Sequence, residues 1–421
     1  MTATRSLPAS PDRGGPSRRV LKSFLRHLEH GQLTVTEGSH VQVFGDDGGI
    51  RASLVVHDRS AWRSVLARGG IGLGEAYFEG RWDSPDPVAV LRLLSLNIDR
   101  VNQVTAPLTH ARRALAGPSR WLRRQSKALD RRNVGAHYDL GNDFFQLFLD
   151  PTMAYSAAFF ETAEDSLQRA SEAKFERICD KLDLGPDDHV LEIGGGWGGF
   201  AVHAAAYSGC RVTTTTISAR QYEYATQLVA DAGLGDRVTV LNQDYRDLSG
   251  RYSHLVSIEM IEAVDSRDLG TFFTTCERLL EAGGQIALQC ITIADREYQR
   301  YNTDTDFIRR YIFPGGNLPS ITSLTRTMTQ SSNLRVTALE DFGQHYASTL
   351  REWRTALNAR REEARRLGYG EQFLRMWDFY FAYCEAGFLE RRISVIQLVA
   401  ARPEWRPVPI DQPVAAPAQG S

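Results

Sequence analysis

The sequence predicts an α/β protein, with a mostly parallel, doubly wound sheet and a smaller N-terminal α+β domain. Three observations point there. Apolar runs of strand length at 189–193, 211–216, 237–241, 253–258 and 284–292 alternate with helical patterns at 166–182, 199–208, 219–232 and 268–281. That alternation is what parallel strands require, because each return to the sheet needs a crossover. The first of these strands runs into Gly194-Gly-Gly-Trp-Gly-Gly199 and then a helix of small residues, Ala201 to Ala206, the pattern of a nucleotide-type turn at the first βα junction. Two later apolar runs, 334–339 and 394–400, read as a hairpin closing one edge, which brings the sheet to seven strands.

The remaining elements follow from local pattern. Residues 1–18 are rich in Ser, Pro, Arg and Gly and are expected to be disordered. The small domain covers 19–110: runs at 33–36, 41–44 and 52–56 alternate like strands, Asp46-Asp-Gly-Gly49 reads as a hairpin turn, and helices are expected at 59–68 and 86–96. A linker at 111–133 carries eight basic residues, with Trp121, against the single acid Asp130. It is either a solvated helix or a patch for anionic lipid headgroups. No aromatic-interleaved groove accompanies it, so nucleic acid is not expected as a partner. The catalytic segment is 134–402, with an aromatic-rich helical stretch at 348–389, and 403–421 is a proline-rich, disordered tail.

With 421 residues, 42% hydrophobic and a net charge of −2, the chain has ample core and no global attraction to polyanions. Five scattered cysteines without C-x-x-C spacing fit free thiols rather than disulfides or zinc. No run approaches the ~18 apolar residues that span a bilayer. A cytoplasmic protein, peripheral to the inner face of the membrane, is expected.

The glycine loop satisfies G-x-G-x-x-G through Gly194, Gly196 and Gly199, which alone admits NAD. Two details favour S-adenosylmethionine (SAM) instead. Glu192, two residues before the first glycine, suits an ammonium and a sulfonium, whereas it would repel a pyrophosphate. The next strand also ends, at Thr216-Ile-Ser218, without the acid that holds an NAD ribose. Ligands of such sheets bind beyond the carboxyl ends of the strands. Those ends supply Glu192, Gly194, Gly196 and Trp197 from the first strand, and Thr216, Ile217 and Gln221 from the second. The third supplies Asp244, for an adenine amino group, and Tyr245, to stack on the ring. After the fourth come Glu259 and Glu262, whose i, i+3 spacing puts both carboxylates on one face if the segment is helical. In an apolar pocket one of the pair would gain a raised pKa and work as a base.

The chain resembles the cyclopropane-fatty-acyl-phospholipid synthase family, class I SAM-dependent methyltransferases that modify cis double bonds of lipid-borne acyl chains. The residues that carry the likeness are Ala136-His-Tyr-Asp-Leu-Gly-Asn-Asp-Phe144, Tyr155-Ser156, the Glu192 glycine loop, Thr216-Ile-Ser218, Gln243-Asp-Tyr-Arg-Asp247, Tyr311-Ile-Phe-Pro-Gly-Gly316 with Leu318-Pro-Ser320, and Phe342-Gly343 through Tyr346. The resemblance implies that Tyr155, Ser156, Gly194, Thr216, Gln221 and Tyr245 contact SAM, and that Glu262 and Tyr346 sit where the family binds a bicarbonate ion used as base. It further implies a phospholipid substrate at the bilayer surface, a homodimer, and a small domain for lipid handling or dimer formation.

Four departures from the family pattern matter. Ala157 stands where cyclopropane-forming members have Cys, and Gln289 where they have His. Ile261-Glu262-Ala263 replaces Phe-Glu-His, and Glu259 replaces a glycine. A built-in carboxylate would repel bicarbonate and serve as base from another direction. The expected function is therefore that of the branch making 10-methylene chains, precursors of 10-methyl fatty acids in actinobacteria, with a reductase acting downstream. Cyclopropane formation is the alternative, and a non-catalytic lipid- or SAM-binding protein the more distant one.

Overall fold

The computed structural model describes residues 15–98 and 140–407. The expectations for residues 1–14, for the basic linker 111–133, for residues 136–139 of the 136–144 motif and for the tail from 408 fall outside the described residues. Two compact units divide the chain, and the division is not a single cut. Residues 358–390 pack with the first unit, whereas the sequence boundary keeps them in the catalytic segment.

In the first unit, helix Pro16–Leu25 starts inside the stretch expected to be disordered, with Arg18 and Lys22 reaching the buried Glu37 carboxylate. Four strands follow, β1 (Gly31–Glu37), β2 (His40–Gly45), β3 (Ile50–Val56) and β4 (Trp82–Asp83), in the order β2-β1-β3-β4. The Asp46–Gly49 turn therefore closes no hairpin: β1 pairs with β2 antiparallel and with β3 in parallel, so it lies between them. The chain crosses close beneath the start of β1, where Gly49 takes φ +89° and a Cβ would lie 2.3 Å from the His30 carbonyl oxygen. A turn-forming sequence is the same whether its two strands pair or straddle a third. Helix Gly70–Phe78 is absent from the sequence reading, because its glycines weaken helix propensity. Gly72 is needed there for contact, since a Cβ would meet the Ser64 carbonyl oxygen at 1.9 Å. Helix Glu371–Leu389 packs on this part of the unit: the Tyr77 hydroxyl donates to Asp378 at 2.5 Å, and Arg375 donates to the Tyr77 carbonyl and to Asp83.

The second unit carries the seven-stranded sheet: β5 (His189–Ile193), β6 (Arg211–Thr216), β7 (Val238–Asn242), β8 (Tyr252–Ile258), β9 (Leu280–Ile293), β10 (Arg335–Asp341) and β11 (Ile393–Ala401). The order is β10-β11-β9-β8-β5-β6-β7. Five strands are parallel, and β10 and β11 form the expected antiparallel closing pair beside β9. Val190, Leu191, Leu255 and Val256 are fully buried in succession because both faces of the sheet are covered. One face packs on Phe272, Phe273 and Leu324, the other on Phe175, Ile178 and Phe200. The winding reverses between β5 and β8, and the sheet's ligand crevice lies beyond the ends of these two strands.

Candidate active site

The turn after β5 builds one wall of that crevice. Gly194, Gly196 and Gly198 all have φ between +55° and +90°, a region that other residues enter only at a cost of about 1 kcal/mol or more. A Cβ on Gly195 would strike the Thr214 hydroxyl at 1.8 Å, while one on Gly196 would meet nothing within 4 Å. Gly195 is thus required by packing, and Gly196 leaves its side of the wall open to a ligand. Glu192 sits at the base of the wall, buried, with Oε2 accepting from the Thr214 hydroxyl at 2.6 Å. Burial lifts its pKa to about 7 against the pull of that hydroxyl and of Lys174.

All eleven residues proposed from sequence as cofactor contacts line this one cleft: Tyr155, Ser156, Glu192, Gly194, Gly196, Trp197, Thr216, Ile217, Gln221, Asp244 and Tyr245. Ser218 caps helix Ala219–Asp231 and brings Gln221 back to accept from the Thr216 hydroxyl at 2.7 Å. The Trp197 indole N–H donates to Asn142 at 2.8 Å, with its ring 4.9 Å from Phe145. Asp244 accepts from Arg246 Nε and Nη2 on separate oxygens, at 2.9 and 2.7 Å, and from the Arg246 backbone N–H at 3.0 Å. Burial raises the Tyr245 phenol.

Glu259 and Glu262 do not share a helical face. Glu259 takes φ +49°, which ends any helical path, and only Ile261–Ala263 coils, as a single 3₁₀ turn. The left-handed backbone turns the Glu259 carboxylate into a nest of donors. Its Oε1 accepts from the Ala157 N–H at 2.8 Å and Gln289 Nε2 at 2.9 Å, and its Oε2 from the Tyr346 hydroxyl at 2.6 Å. Glu262 reaches β9 separately, where Oε1 accepts from the Ile291 N–H at 2.5 Å, and its buried Oε2 meets no partner among the described residues. Burial raises both carboxyls; Glu262 is pushed up to about 8 by burial and by the facing charge of Glu259. Three donors end on Glu259 against one on Glu262, so the hydrogen bonds favour the ionised form at Glu259. Glu259 lines the cleft beside Ile258 and Met260, whereas Glu262 and Tyr346 do not line it.

Sequence reasoning missed two features of this site. Lys174 is fully buried and donates to Ser156 Oγ at 2.6 Å, with its ammonium 4.4 Å from the Phe175 ring centroid. Its signal is a charge at a core position of the amphipathic helix Leu167–Leu182, where Ala170, Ala173 and Ile178 also face inward. Trp353 is the other: its ring lies 5.2 Å from Tyr155 and 6.0 Å, edge-on, from Tyr346. With Tyr346 bound to Glu259, these rings form an aromatic border beside that carboxylate, and aromatic faces attract positive charge.

Among the described residues no cluster suits a metal ion and no helix is long and apolar enough to cross a membrane. Residues 125–398 match the family model described as mycolic acid cyclopropane synthetase. The chain is 39% identical over 362 residues, 83% of each protein, to the tuberculostearic acid methyltransferase UfaA1 of Mycobacterium tuberculosis. It is 36% identical over 85% of its length, and 89% of the relative's, to the cyclopropane-fatty-acyl-phospholipid synthase of Escherichia coli. Among solved structures, the cyclopropane synthase MmaA2 from Mycobacterium tuberculosis superposes with a TM-score of 0.61 at 29% identity, over 65% of this chain and 98% of that one. The mycolic acid cyclopropane synthase CmaA1, complexed with SAH and CTAB, gives 0.60 at 32% identity over the same shares. The glycine-walled cleft, the sheet order and these likenesses agree, and the chain belongs to the mycolic acid cyclopropane synthetase family.

Proposed function

We propose that this enzyme converts the cis double bond of a phospholipid-bound oleoyl-type chain into a 10-methylene group, and that Glu259 is the base that takes the departing proton. The chain is a SAM-dependent C-methyltransferase of unsaturated lipid acyl chains. The cleft fits SAM: a buried carboxylate at Glu192 for the cationic end, an open wall at Gly196, and Tyr245 and Asp244 at the far strand end. When bound, SAM supplies an electrophilic methyl carbon. The protein's part is to hold the alkene in line, exclude water and accept one proton. A methylene product requires hydride to shift along the acyl chain before the new methyl group loses its proton. The position of the base therefore selects the product.

One observation carries the reading. The Ala157 N–H, Gln289 and Tyr346, a donor set suited to an anion, all end on a carboxylate of the chain itself. Bicarbonate does not fit the same donors, because Glu259 already takes them. Because the acyl substrate resides in a bilayer, the enzyme works at a membrane surface as a peripheral protein, at its cytoplasmic face. The test is incubation with dioleoyl phospholipid vesicles and SAM, followed by proton NMR of the released fatty acid. Vinylidene protons are expected; high-field cyclopropane protons alone would overturn the methylene assignment.

SAM binding should also report Glu192. The cation pairs with an ionised carboxylate, but burial holds Glu192 near pKa 7 in the free protein. Affinity should therefore rise with pH and level off above neutrality, weakening by up to about tenfold per pH unit below it. Calorimetric titration across that range checks this, and Glu192→Gln should bind more weakly with a flat profile. An affinity that still varied with pH after the Glu192→Gln substitution would remove Glu192 from the cation site.

A further inference from the structure

A row of polar side chains crosses the sheet beneath Glu259, and beyond Gln289 the mechanism above does not use it. Gln289 on β9 lies directly opposite Gln397 on β11, which lies opposite Glu340 on β10. The two glutamines are 1% and 3% exposed, so their amide groups depend on each other and on their neighbours for hydrogen bonds. From helix Leu167–Leu182, Lys181 donates both to Gln397 Oε1 and, at 2.5 Å, to Glu340, which Arg177 from the same helix also holds.

Amide oxygen and nitrogen are near-isosteric, and the network decides which way each points. An ammonium has donors only. Facing Lys181, Gln397 must present its oxygen, which leaves Nε2 to donate to Gln289 Oε1 at 3.0 Å. Gln289 must then turn its own Nε2 inward, where it donates to Glu259 Oε1 at 2.9 Å and to the Ala157 carbonyl at 3.2 Å. Every bond in the chain donates in one direction, from the partly exposed Lys181 to the buried carboxylate, and such chains reinforce one another.

We infer that Lys181 and Gln397 are positioning residues for the reaction: the chain Lys181–Gln397–Gln289 fixes Gln289 as a donor and so holds the Glu259 carboxylate ionised and in one orientation. This rests on the reading of Glu259 as the base. The base and the polarity of its support are then set from the far edge of the sheet, by a residue that touches neither substrate nor cofactor.

The experiment compares the full-length enzyme with four variants and the Glu259→Gln control, by kcat, KM for SAM and thermal unfolding. Lys181→Met and Gln397→Leu should each lower kcat about tenfold, as expected for one hydrogen bond to a charged group, with KM for SAM unchanged. Lys181→Arg keeps the donor and should retain wild-type kcat. Gln397→Glu separates polarity from packing. A carboxylate accepts from Lys181 but cannot donate to Gln289, so Gln289 flips and presents its oxygen to Glu259. Its kcat should fall further than that of Gln397→Leu, by about a hundredfold. Equal losses in the two Gln397 variants, or an unchanged kcat in Lys181→Met, would overturn the inference; Lys181→Met, at a partly exposed position, serves if the Gln397 variants do not fold. The base reading fails separately, through full turnover by Glu259→Gln.

Discussion

Glu259→Gln is expected to leave SAM affinity unchanged and to lower kcat by about 10²- to 10⁴-fold, the range for loss of a general base. The amide matches the carboxylate in shape but cannot take up a proton, and it sets a donor against the Tyr346 hydroxyl or Gln289 Nε2, both of which donate to Glu259. Glu259→Gly is the informative companion. The position has φ +49°, which glycine adopts without strain, and removing the side chain leaves the Ala157 N–H, Gln289 and Tyr346 aimed at one vacant spot. Turnover of the glycine variant should be absent in bicarbonate-free buffer and return on adding bicarbonate. Turnover by Glu259→Gln at the wild-type rate would remove the side chain from the chemistry.

The second large effect is on stability. Lys174 is fully buried, and burial holds its pKa down at about 8 against the pull of Glu259, Asp150 and Glu192. Breaking a buried charge constellation by deleting one member costs about 3–5 kcal/mol, because the remaining charges stay behind without compensation. Lys174→Met keeps the length of the side chain and its contact with Phe175, so the loss is of charge and of the bond to Ser156. At roughly 2–4 °C per kcal/mol for a domain of this size, the melting temperature should drop by about 10 °C. Differential scanning calorimetry measures it; an unchanged melting temperature would mean that the carboxylates are neutral in the native protein.

What the sequence reveals follows from how local each signal is. The glycine loop and the strand ends are each written in contiguous residues, and the structure places their nine cleft residues together with Tyr155 and Ser156, which the family resemblance supplied. The left-handed turn at Glu259 is visible only indirectly, as an acid where the family resemblance implies glycine, and the i, i+3 spacing suggests a helix that φ +49° forbids. Lys174 and the Gln289–Gln397 pair are not legible, because their partners come from other elements, up to 216 residues away. The straddled β1 and the allegiance of 358–390 to the first unit are hidden for the same reason.

That allegiance bears on how the protein is made. Tyr77 and Asp378, joined by a hydrogen bond, are 301 residues apart in the chain. At about 5–20 residues per second, a ribosome needs roughly 15–60 s to bridge that gap. The part synthesised first must therefore wait, with the surface destined for helix Glu371–Leu389 uncovered, until that helix has itself emerged. Nascent-chain chaperones would be expected to attend the strands and helices of residues 15–98 in the meantime.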